Sequence, residues 1–128
     1  MKAVDTNVVV RYLTGDVPAQ AAKARKVIGS GNIFVGTTVL LESEWVLRSV
    51  YGFSRNDIAK ALRAFAGLPG IMIENPVLLA EALDRTEKGM DFADALHLGA
   101  AAGCEAMLSF DRDFIKAAWH ESPTVMRP

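Results

Sequence analysis

A parallel β-sheet sandwiched between helices, the Rossmann-like three-layer α/β class, is what this 128-residue sequence predicts. Short apolar runs alternate with longer stretches of helix formers, the pattern of strands buried on both faces and joined by helical crossovers. With 51% hydrophobic and 23% charged residues, the chain has the composition of one ordinary domain with a real core, so a single domain over 1–128 is expected. No repeat, linker or low-complexity tract interrupts the alternation.

Met1 to Val4 is apolar and ends in Asp5, and Val8 to Leu13 continues as an apolar segment containing Arg11, which reads as a strand leading into a helix. After Asp16 and Pro18, AQAAKARKVI is rich in helix formers, with Ala21, Ala22, Val27 and Ile28 available for packing; Gly29 to Gly31 ends it. Ile33 to Val35 is a second strand, and Thr37 or Thr38 is expected to cap the helix that follows. That helix, Val39 to Tyr51, is apolar around most of its girth, which marks a core element stopped by Gly52. Ser54 caps the next helix with Asp57 as its capping-box partner, and the helix runs through Phe65 to Gly67, Pro69 and Gly70. IMIEN reads as a third strand and Val77 to Lys88 as an amphipathic helix. Asp91 to Ala102 is a helix ended by Gly103, Ala106 to Phe110 a strand, and Asp111 to Trp119 a last helix. Trp45, Trp119 and the methionines are assigned to the core.

Composition excludes several function classes. Charged residues interrupt the apolar segment after Met1, and no later stretch approaches the roughly 20 apolar residues needed to cross a bilayer, so neither a signal peptide nor a membrane span is expected. Cys104 is the only cysteine, which rules out an internal disulfide and a cysteine-rich zinc site and fits a reducing cytoplasm. The formal charge of −1 supplies no global positive field for a polyanion. Lys23, Arg25 and Lys26, and separately Arg48, Arg55, Lys60 and Arg63, could form local patches, although solvated helix faces account for most of them.

The chemistry lies in the acids. In parallel α/β sheets ligands gather at the carboxyl ends of the strands, and Asp5 and Asp111 each follow a strand directly. Asp5-Thr6-Asn7 offers three polar side chains where a helix needs one cap, so Asp5 reads as a metal ligand supported by Asn7, with N-capping by Asp5 or Thr6 as the alternative. Helical spacing sets Glu42 beside Val39, Trp45 and Val46 on a face expected to be buried, whereas Glu44, with Arg48 one turn later, reads as an ordinary exposed or half-exposed ion pair without a functional role. In DFADALHL, Asp91 is the natural N-cap and Asp94 the ligand candidate, with favourable helix-dipole placement as its structural alternative. In SFDRDF, Asp111 is preferred over Asp113, with N-capping as its alternative and Ser109 as a supporting hydrogen-bond donor. His97 and His120 make no zinc motif with Cys104. An oxygen-only set of Asp5, Glu42, Asp94 and Asp111 selects a hard cation, Mg²⁺ or Mn²⁺.

The ordered set DTNVVVRYL, LLESEWVLRSVYG, DFADALHL and LSFDRDF resembles the PIN-domain ribonucleases, most closely the VapC toxins of bacterial toxin–antitoxin pairs, over nearly the whole chain. The resemblance implies that Asp5, Glu42 and Asp94 ligate the divalent ion, with Asp111 as the fourth acid and Asp113 possible in its place. It implies hydrolysis of a structured RNA such as tRNA or rRNA by water attack, giving 5′-phosphate and 3′-hydroxyl ends. It also implies a co-expressed VapB-type antitoxin and a homodimer, for which the apolar helices at Val39 to Tyr51 and Val77 to Leu83 offer surface. Two other classes compete. A haloacid-dehalogenase-like phosphatase needs a second Asp where Asn7 stands, and a non-catalytic binding module on the same fold would have lost an acid.

Overall fold

The computed structural model describes residues 1–128. Its elements are β1 (Lys2–Ala3), α1 (Thr6–Thr14), α2 (Pro18–Gly29), β2 (Ile33–Val35), α3 (Thr37–Ser49), α4 (Arg55–Ala66), β3 (Ile71–Ile73), α5 (Pro76–Glu87), α6 (Phe92–Ala100), β4 (Ala106–Leu108), α7 (Arg112–Ala117) and β5 (Thr124–Met126). Every strand pairing is parallel, and helices connect the strands, the α/β class that the alternation predicts. The chain falls into two compact units, Met1–Pro76 and Val77–Pro128.

In the first unit the strands run in the order β1-β2-β3, with Lys2 opposite Ile33 and Ile33 opposite Ile71. Parallel neighbours need a crossover, and here each crossover carries two helices. Val9 and Val10 bury one face of α1, and α2 turns Ala21, Ala24 and Ile28 inward at helical spacing, the two alanines being small enough to let it lie close on α1. Ala22 and Val27, expected to pack, face outward because they lie off that stripe. Helix α4 buries Ile58, Ala59, Leu62 and Phe65. Phe65 is 1% exposed, and truncating such a ring to Ala costs about 3–5 kcal/mol.

Two local features hold this unit in register. Gly70, at φ +81°, lies so close to the neighbouring loop that a Cβ there would sit 2.5 Å from the Gly31 Cα, so the turn before β3 admits only glycine. The start of α3 differs from expectation. Gly36 is its N-cap, neither threonine caps it, and Glu74, just past β3, accepts a hydrogen bond from the Thr37 N–H at 2.9 Å. A distant carboxylate thus does the work assigned to a local hydroxyl, at a helix terminus whose dipole favours a negative charge.

In the second unit α5 buries Leu79, Ala82, Leu83 and Thr86, and α6 buries Phe92, Ala95, Leu96 and Leu98. A Cβ at Gly99 of α6 would lie 2.5 Å from Leu78 Cδ1, the movable end of a side chain on α5. Arg85 Nε donates to Glu121 Oε1 at 2.8 Å, tying α5 to the segment after α7. Strand β5, which pairs with β4 in the register Met107–Val125, was not expected; its short Thr-Val-Met run between prolines carries too little strand signal by itself. Trp119 lies beyond α7 and is 77% exposed, and Trp45 is 54% exposed, so neither belongs to the core. Of the methionines, Met90 is buried while Met1, Met72 and Met126 are exposed.

Candidate active site

Asp5 follows β1 in an extended conformation and caps α1, its Oδ1 accepting from the Thr6 N–H at 2.7 Å. One carboxylate oxygen is thereby held at the positive end of the helix. Thr6, the first helical residue, is buried, and its hydroxyl donates a hydrogen bond to Glu42 Oε1 across 36 positions of sequence. Asp5, Thr6, Asn7, Val10, Arg11, Glu42 and Val46 line one cleft of about 290 Å³. The structure therefore brings Asp5 and Glu42 together, as the sequence reading required, but through Thr6, whose linking role that reading missed. The available signal was a hydroxyl three and four positions before Val9 and Val10, on the one face of α1 that is buried, where a polar group needs a partner.

Arg11 is the one cationic residue in that lining, and its guanidinium is held away from the acid pair. Its Nε donates to Gln20 Oε1 at 2.8 Å, and its Nη1 donates to Tyr51 Oη at 3.0 Å and to Asp16 Oδ1 at 3.3 Å. Tyr51 in turn donates to Asp16 Oδ2 at 2.5 Å. That phenol hydrogen bond is the largest influence holding the Asp16 carboxyl below its ordinary pKa, helped by the Thr14 hydroxyl and the Arg11 charge and opposed by desolvation.

Helix α3 overturns part of the sequence reading. Leu40, Ser43, Glu44 and Leu47 form its buried face, while Glu42 is exposed, like Trp45. Because α3 is apolar nearly all round, periodicity could not say which side would be covered. Glu44, expected at the surface, is 2% exposed and accepts two hydrogen bonds from Arg48, Nε to Oε2 at 3.0 Å and Nη2 to Oε1 at 3.4 Å. The expected ion pair is present; its exposure is not as expected. Glu42 meets its cleft from the solvent side, where a ligand can reach it.

In the second unit Asp91 caps α6, accepting from the Asp94 N–H at 3.2 Å, and Asp94 stands half-buried in the first turn. Asp111 caps α7, its Oδ1 accepting from the N–H groups of Asp113 at 2.9 Å and Phe114 at 3.2 Å. Ser109 does not donate to that carboxylate; its Oγ accepts from the Asp111 N–H at 3.0 Å. Asp113 is exposed in the first turn of α7. His97, Cys104 and His120 are exposed.

No group of three or more His, Cys, Asp or Glu side chains is gathered for a cation. The first-unit cleft nevertheless presents oxygen donors from Asp5, Thr6 and Glu42 and the amide of Asn7, with no thiol or imidazole. That donor chemistry fits a hard divalent ion such as Mg²⁺. No helix is long and apolar enough to cross a membrane. No curated protein matches the chain. The model of the PIN domain matches residues 2–120, and so the chain belongs to the PIN domain family, whose members are typically metal-dependent nucleases.

Proposed function

We propose that this chain is a Mg²⁺- or Mn²⁺-dependent endoribonuclease that cleaves structured cellular RNA, tRNA or rRNA, and acts as a VapC-type toxin restrained by a cognate VapB-type antitoxin. The observation that carries the proposal is the Asp5–Thr6–Glu42 constellation: two acids from two family motifs are aimed at one open cleft by a buried threonine. Asp94 and Asp111 are the remaining ligands in this reading, with Asp113 the alternative to Asp111, and they rest on the match of DFADALHL and SFDRDF to the family. The whole chain acts as one PIN domain, cytoplasmic and homodimeric.

A divalent ion bound there would neutralise charge on a phosphodiester and make a water more acidic. The side chains supply orientation. Thr6 fixes Glu42 through its hydroxyl and Asp5 through its N–H, so both carboxylates hold their direction before any ligand arrives. Asn7 offers an amide to a phosphate or ribose oxygen. Arg11, anchored by Gln20, Asp16 and Tyr51, sets a positive edge on the cleft without neutralising the acids. Hydrolysis leaves 5′-phosphate and 3′-hydroxyl ends.

Incubation of the purified chain with a generic RNA, with and without Mg²⁺, tests this reading. Metal-dependent cleavage is expected. RNA that stays intact in both conditions would leave a non-catalytic binding module on the same fold, and release of phosphate from monoesters would point to a phosphatase.

A further inference from the structure

Trp119 is the most exposed of the large apolar side chains, at 77%. Together with Arg112, Ile115, Lys116 and Arg127 it lines an open cleft of about 560 Å³. Arg112, Lys116 and Trp119 follow one another at helical spacing, which sets them on one side of α7 and its extension. Arg127 joins them from just beyond β5, the strand that packs against α7. No acidic residue lines the cleft, and no carboxylate pairs with Arg112, Lys116 or Arg127. The one ring beside Trp119 is His120, at 6.2 Å and 75°, so nothing stacks in parallel on the indole.

An indole left in water beside three unpaired cations has the composition of a single-strand nucleic-acid platform, in which a base stacks on the ring and phosphates meet the cations. A chain with net charge −1 has no general field to hold a polyanion, so such a cluster has to act locally. A run of acidic side chains would satisfy the cations and leave the indole in water. Duplex RNA would offer phosphates but no unstacked base.

We propose that this cleft docks an unpaired segment of RNA, with one base stacked on Trp119 and flanking phosphates held by Arg112, Lys116 and Arg127. The proposal rests on the ribonuclease reading for the identity of the polymer and extends it to a second contact surface that favours single-stranded or looped RNA.

The full chain carrying Trp45→Phe, which leaves Trp119 as the only tryptophan, is titrated in EDTA with an unstructured oligouridylate, an RNA duplex of equal length and polyglutamate. The oligouridylate is expected to quench Trp119 fluorescence, and the duplex to do so far less. Three phosphate contacts predict a slope of log affinity against log salt of roughly −2, losing about 0.7 in magnitude when Lys116 or Arg127 is replaced by Ala. Followed by the anisotropy of a dye-labelled oligouridylate, Trp119→Ala should weaken binding by about 5- to 150-fold, with Trp119→Phe retaining most of it. Quenching by polyglutamate equal to that by RNA would assign the cleft to an acidic protein and overturn the proposal. A spectrum that shifts with protein concentration and not with RNA would assign it to a second copy, with the same result. Metal-dependent cleavage by the wild type is measured separately. Cleavage with no quenching and no effect of Trp119→Ala removes the docking site and leaves the nuclease, whereas quenching without cleavage in any metal does the reverse.

Discussion

Glu42 and Glu44 are two positions apart on α3, the first exposed at the cleft and the second buried, so replacing each by Gln separates stability from chemistry. Glu44 is 2% exposed and its Arg48 partner has a side chain 30% exposed. Breaking a fully buried ion pair costs about 3–5 kcal/mol. Here Arg48 reaches water, and Gln keeps one carbonyl acceptor, which lowers the expected loss to about 1–3 kcal/mol. With an unfolding entropy of about 2.1 cal/mol/K per residue, 128 residues give roughly 0.27 kcal/mol/K, so Glu44→Gln should lower Tm by about 4–11 °C. Glu42 is exposed, and Gln can still accept from the Thr6 hydroxyl, so Glu42→Gln should move Tm by no more than about 2 °C. RNA cleavage should show the opposite order. Loss of a metal-binding carboxylate removes several kcal/mol of charge stabilisation, a drop on the order of 100-fold or more, while Glu44→Gln keeps near wild-type activity per folded molecule below its Tm. Differential scanning calorimetry and a fluorogenic RNA assay on the same preparations read both quantities. A Glu44→Gln protein as stable as wild type would refute the buried-pair argument, and full cleavage by Glu42→Gln would refute the site.

Mg²⁺ or Mn²⁺ should raise the Tm of the wild type, because converging carboxylates repel until a cation neutralises them, and at 100 times Kd the gain is about 2.7 kcal/mol; equal gain in Asp5→Asn would remove Asp5 from the site. Expression of the chain alone should arrest bacterial growth, and Asp94→Ala should relieve the arrest at matched abundance on an immunoblot, since a first-turn carboxylate contributes only a few tenths of a kcal/mol to the helix; persistent arrest would reduce Asp94 to a helix-stabilising residue. The Asp16 carboxyl is held below its ordinary pKa first by Tyr51, so the stability it contributes is present above the ordinary carboxylate value and is lost as pH falls through the lowered one. In Tyr51→Phe the Asp16 titration followed by NMR should move up toward the ordinary range, and an unmoved titration would mean that the phenol is not its main partner.

What the sequence by itself determined was local. Ser54 and Asp91 cap helices as read, and Asp5 and Asp111 take the capping place that stood as the alternative to ligation, because an N-cap is an interaction across three residues or fewer and its partners are neighbours in the chain. The short strands at Ile33–Val35 and Ile71–Ile73 and the order of helices between them were legible for the same reason, being written in runs of apolar residues between glycines and prolines. The acids of the cleft could be named one by one from their placement after strands and within apolar segments. Tertiary structure decided what touches what. Only packing could choose the Leu40–Ser43–Glu44–Leu47 face of α3 as the buried one, since three sides of that helix were apolar enough to serve. Only the parallel return of β3 could bring Glu74 to the N-terminus of α3, and only the fold could join Thr6 to Glu42. Trp119 shows the limit most plainly: hydrophobicity marks a side chain as able to be buried, but whether it is buried depends on which neighbours reach it, and three of the four residues that share its cleft are cations.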